Sequence, residues 1–97
     1  MSNLSLLTKL SSPADSAREV ACRERARRQA MGITQRQLSE RSGVSLGSLR
    51  RFEQTGQASF ETVVRVCRAL DCESDLDTLY ARPAYRSIRE VIDGQGR

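Results

Sequence analysis

Histidine is absent from the 97 residues, and cysteine occurs only at Cys22, Cys67 and Cys72. An odd count, no Cys-x-x-Cys spacing and no histidine to complete a ligand set argue against a structural zinc site, so no metal is expected. The thiols read as buried or half-buried free cysteines in a reducing cytosol, with redox sensing as the alternative. Without histidine, a glycine-rich phosphate loop or a cysteine beside a base, general acid–base and nucleophilic chemistry have nothing to work with. Neither enzyme activity nor a cofactor is expected. No stretch approaches the roughly 18 apolar residues of a membrane span, and residues 1–12 lack the basic start and long apolar run of an export signal. Repeats, low-complexity tracts and a second domain are also missing, and the expected location is the cytoplasm.

What is present is a basic, helix-forming chain. The net charge is +4, and 38% of the residues are hydrophobic, enough for one modest core. The charge is unevenly spread. From Arg18 to Arg68 there are eleven arginines against five acids, whereas Asp71 to Asp77 holds four acids and no base. That bias favours an anionic partner for the arginine-rich segment.

Caps and stops divide the chain into short helices. Ser12 and Pro13 suit an N-cap and a first helical position, and Gly32 suits the stop of a first helix running to about Met31. Thr34 with Gln37 forms a capping-box pattern for a second helix that reaches Ser42 before Gly43. Ser45 then caps a third helix, Leu46 to Gln54, after a very tight turn. Ser59 caps a fourth, Phe60 to Leu70, whose Phe60, Val63, Val64, Cys67 and Leu70 repeat as one core-facing stripe. A short fifth helix starts at Ser74 or Asp75 with Leu76, Leu79 and Tyr80 inward, and Pro83 closes the compact unit. The expected organisation is an N-terminal arm (1–12), an all-α domain of four or five helices (13–82), and a tail (83–97). Tyr85, Ile88, Val91 and Ile92 in that tail suit a dimer or partner contact.

At about 100° per residue, the third helix places Ser48, Leu49, Phe52 and Glu53 on one side and Leu46, Gly47, Arg50, Arg51 and Gln54 on the other. Small and apolar side chains followed by two arginines suit a surface that approaches a nucleic acid closely and grips it. The plainer alternative is that Arg50 and Arg51 only solvate an exposed face. A capped short helix, a glycine turn and a second short helix tip the balance, because the major groove of B-DNA admits one helix presented by a partner.

ITQRQLSERSGVSLGSLRRFE, Ile33 to Glu53, resembles the helix-turn-helix of the Cro/C1-type (Xre family) repressors, and the likeness extends over about Ala17 to Tyr80. Within it, the Ser-Leu-Gly-x-Leu-Arg-Arg-Phe-Glu pattern is similar to HipB-type antitoxins, small regulators encoded beside a HipA-type kinase toxin. The resemblance implies a lambda-repressor-like domain that binds double-stranded DNA. It implies that Gln35 touches a phosphate and packs on the recognition helix, with Arg36 and Arg41 beside the backbone. Ser45, Leu46, Gly47 and Arg50 match the positions that face base edges, and Arg51 lies where a base or a phosphate is in reach. Gly47 departs from the polar residue often found there, which shifts weight towards DNA shape. The resemblance also implies a structural salt bridge between Arg28 and Glu53. Glu24 stands where relatives carry an apolar residue; either it pairs with Arg28 or the first helix is rotated outward.

The function so implied is an autoregulating transcriptional repressor acting as a homodimer in a bacterial cytoplasm, associated with the nucleoid. Two alternatives stay open: an antitoxin that also holds a HipA-type toxin, and a protein-interaction adaptor that has lost groove binding.

Overall fold

The computed structural model describes residues 12–84, all of whose regular elements are helices: α1 (Pro13–Ala30), α2 (Gln35–Ser42), α3 (Leu46–Thr55), α4 (Phe60–Ala69) and α5 (Ser74–Asp77). The expected all-α, five-helix architecture is therefore observed. The expectations for the arm, and for Tyr85, Ile88, Val91 and Ile92, fall on residues 1–11 and 85–97 and lie outside the described residues.

Local chemistry accounts for the helix starts. The Ser12 and Thr34 hydroxyls accept from the Asp15 and Gln37 amides, and those two side chains accept from the Ser12 and Thr34 amides in return. Ser45 and Ser59 cap α3 and α4 through the amides of Ser48 and Thr62. Each such cap satisfies an amide that the first helical turn leaves unpaired, a contribution of about 1 kcal/mol.

The core lies among α2, α3 and α4, where Ile33, Leu38, Val44, Leu49, Val66 and Leu70 are buried together and Ala69 and Cys72 pack against them. The first helix is a different kind of element. Of its 18 residues only Ala21 and Arg28 are buried, so an apolar stripe does not hold it. It lies against α3, fastened by polar contacts and by a close backbone approach at Gly56.

The stripe expected on α4 is displaced. Val66, outside that stripe, is buried, whereas Phe60 is 61% exposed and Val63, Val64 and Cys67 are only half-buried. Two apolar rows overlap on this helix, Phe60–Val64–Cys67 and Val63–Val66–Leu70, and packing against α2 selects the second. The inward expectation for α5 is also corrected. Leu76 is half-buried, but Leu79 is exposed and Tyr80 is 96% exposed. The helix ends at Asp77, too short for a full stripe, and Tyr80 takes a left-handed φ of 61° that turns the chain away. Cys22, expected to be buried or half-buried, is exposed.

Candidate nucleic-acid interface

The second and third helices are separated only by Gly43, Val44 and Ser45. Gly43 adopts φ 75° at the end of α2, which costs a glycine little and lets the chain reverse at once. Two serine hydroxyls complete the turn: Ser39 donates to the Val44 carbonyl, and the Val44 amide donates to Ser42 Oγ at 3.1 Å. Val44 itself is buried, so the polar backbone of the turn is satisfied from within and its apolar side chain is a peg in the core.

Leu49, Phe52 and Glu53 of α3 point inward and are buried. The outer side presents Gly47, Arg50, Arg51 and Gln54, all exposed, with Ser45 exposed ahead of them and Leu46 half-buried. Ser48, expected on the inner side, is exposed and accepts a hydrogen bond from the Ser45 hydroxyl at 2.9 Å, so it joins the outer rim. Arg36 and Arg41 of α2 are exposed, and Gln35 is half-buried at the start of that helix. Neither these two arginines nor Arg50 makes an ion pair among the described residues.

Arg51 is more constrained. Its Nη2 and Nε donate to Gln57 Oε1 at 2.6 and 3.2 Å, which draws the guanidinium over a groove of about 390 Å³ lined by Ser48, Gln57, Ser59 and Thr62. Gln57 was not singled out by sequence reasoning; a pairing six residues away, across a helix end, has no periodic signal.

Behind this face lies a buried polar cluster. Arg28 Nε and Nη2 donate to the two oxygens of Glu53 at 2.8 and 2.9 Å, and Arg28 Nη1 donates to the Ile33 carbonyl at 2.9 Å. Gln35 Nε2 donates to Glu53 Oε1 at 3.0 Å. One carboxylate of α3 is thus gripped by α1 and by the first residue of α2, which sets the angle of α3 against both. Burial opposes a charge on Glu53, but the hydrogen bonds of Arg28 and Gln35 outweigh it and hold the carboxyl below its ordinary value.

Glu24 follows neither of the two courses expected of it. It makes no ion pair with Arg28, whose guanidinium is already taken, and it turns inward, where both its carboxyl oxygens are buried without a donor. Burial, and then the neighbouring Glu53, push its carboxyl up to about 8. A carboxyl buried beside an ionised carboxylate holds its proton, so Glu24 is the neutral acid of the pair. Arg27 is a further clamp that sequence reasoning missed: it donates to the carbonyls of Leu70 and Asp71 at 2.8 and 3.1 Å, joining α1 to the end of α4.

A family model described as helix-turn-helix matches residues 25–76, a little over half of the chain, from the middle of α1 into α5. The chain belongs to the Cro/C1-type helix-turn-helix family. No curated protein and no solved structure matched it. The protein is accordingly a DNA-binding transcriptional regulator, and its family is one of regulators rather than of enzymes. None of its described helices is long and apolar enough to cross a membrane.

Proposed function

We propose that this helix-turn-helix protein is a sequence-specific repressor that binds double-stranded DNA as a homodimer and occupies a promoter, its own among the candidates. The observation that carries this reading is the exposed Arg50, without an ion pair among the described residues, on a short helix whose opposite face is locked by the Arg28–Glu53–Gln35 cluster. A rigid helix with one free guanidinium suits bidentate bonding to guanine O6 and N7, and the neighbouring Leu46 suits contact with a thymine methyl. Ser45 and Gly47 complete the base-facing end. Gln35, Arg36 and Arg41 position the backbone, and Arg51, tethered by Gln57, serves a phosphate better than a base. Two copies present their recognition helices to half-sites one DNA turn, roughly 34 Å, apart. In this reading residues 13–82 form the DNA-binding unit, the tail from residue 83 contributes to dimerisation, and the protein works in the cytoplasm on the nucleoid.

A second reading, an antitoxin that also holds a HipA-type kinase toxin, is supported by the Ser45–Glu53 segment and its likeness to HipB-type proteins. Co-expression with a neighbouring kinase-like gene separates the two: a stable complex favours the antitoxin. The exposed arginines speak against an adaptor without groove binding.

The reading is tested by fluorescence anisotropy on a labelled duplex of the gene's own upstream region, at two salt concentrations and against a scrambled competitor. Tight binding that survives the competitor is expected. Weak, salt-sensitive binding indifferent to sequence contradicts it.

A further inference from the structure

The C-terminal end of α4 is closed by two nested backbone hydrogen bonds. The Cys72 amide donates to the Cys67 carbonyl at 3.0 Å, and the Asp71 amide to the Arg68 carbonyl at 3.2 Å. Asp71 is left-handed, with φ 56°. This is a Schellman closure, in which the residue after the left-handed position folds back onto the last turn of the helix and usually makes an apolar contact there. Here both residues in that contact are cysteines. Cys72 Sγ lies 3.4 Å from the Cys67 carbonyl oxygen, so the Cys72 thiol is folded back onto Cys67. Arg27 pins the same turn from α1 through the Leu70 and Asp71 carbonyls. The backbone therefore folds Cys72 back over Cys67 in the folded protein, the kind of close approach that a disulfide requires.

We propose that Cys67 and Cys72 are a reversible disulfide site, closed by a peroxide-class oxidant across the end of α4 without unfolding the domain. Burial, and then Cys72 beside it, push the Cys67 thiol up to about 11, so Cys67 is a poor source of thiolate and serves as the resolving sulfur. The Cys72 thiolate attacks one oxygen of hydrogen peroxide, displaces hydroxide and becomes a sulfenic acid. The Cys67 sulfur attacks that sulfenic sulfur; the S–S bond forms, and water leaves with the Cys67 proton. The two thiols lose two electrons and two protons, and one peroxide is reduced to two waters. Cys22, exposed on α1, has no such partner among the described residues.

The test uses the reduced full chain, oxidised with hydrogen peroxide, blocked with N-ethylmaleimide and digested with trypsin. Arg68 lies between the two cysteines, so cleavage separates a peptide ending at Arg68 from one beginning at Ala69. The main oxidised product is expected to be these two peptides joined by a bond that dithiothreitol splits, with the helical circular dichroism spectrum unchanged. C22S yields the same product, and C67S yields none. The proposal is overturned if Cys67 and Cys72 both remain open to the maleimide, if either joins Cys22, or if urea-unfolded protein gives as much of the linked pair as the native protein.

Discussion

Gly56 lies so close to Ala17 that a Cβ at position 56 would stand 2.7 Å from the Ala17 carbonyl carbon and 2.9 Å from its carbonyl oxygen. The end of α3 therefore meets the backbone of α1 directly near the start of α1, whereas the Arg28–Glu53 clamp lies near the end of α1. Between them, the two contacts determine how α1 supports α3.

Gly56→Ala is disfavoured twice, because the residue has φ 80° and its new Cβ meets backbone rather than a flexible side chain. A loss of at least about 2 kcal/mol is expected in urea unfolding. Gly32→Ala is the control: φ is 70° with nothing within 4 Å, so only the conformational cost of about 1 kcal/mol applies. Equal losses in the two variants would contradict the close approach.

The Arg28–Glu53 pair is nearly closed to solvent, with side chains 9% and 2% exposed. Glu53→Gln leaves a buried guanidinium half-compensated, and Arg28→Met leaves a buried carboxylate; each is expected to cost about 3–5 kcal/mol. The double variant Arg28→Met, Glu53→Gln should cost clearly less than the two single losses combined. A double-mutant cycle by chemical unfolding checks this, and additive losses would mean that the pair is not coupled.

Glu24 makes stability depend on pH in a defined direction. Its carboxyl lies at about 8 in the folded protein against an ordinary 4.5, so between these values the folded chain keeps a proton that the unfolded chain releases. Stability from this group is complete below about 4.5, falls as the pH rises, and has been lost by about 8. Glu53, held below its ordinary value, acts in the opposite sense, and its contribution is lost only as acid protonates it. Glu24→Gln should abolish the decline, match the parent near pH 4.5 and exceed it at pH 8 by on the order of 1–3 kcal/mol. Urea midpoints measured across that range decide it; parallel profiles for the two proteins would place Glu24 in solvent.

Helix starts and stops were legible because they are local events. Ser12, Thr34, Ser45 and Ser59 act within three residues of themselves, and Gly43 stops α2 at the expected place, while α3 runs on by one residue past Gln54 to Thr55. Face selection was not legible where it depends on a neighbour. Val66 replaces Phe60 in the core because α2 covers only one of the two apolar rows on α4, and no periodicity within α4 carries that information. Tyr80 is expelled by a backbone turn that its own side chain does not encode. Within the candidate site, the outward arginines could be read from helical spacing. The neutrality of Glu24 could not, since it depends on Arg28 being occupied by Glu53, a residue 29 positions further along the chain.

The central claim, that Arg50 reads sequence from a rigid helix, is tested most directly by comparing wild type and Arg50→Ala. Anisotropy would be measured for each on the upstream duplex and on its scrambled counterpart at one salt concentration, with circular dichroism to verify the fold. The account predicts a loss of about 1–3 kcal/mol on the specific duplex with little change on the scrambled one, so that the specificity ratio falls roughly 5- to 150-fold. An unchanged ratio, with both duplexes bound as before or weakened alike, would contradict it.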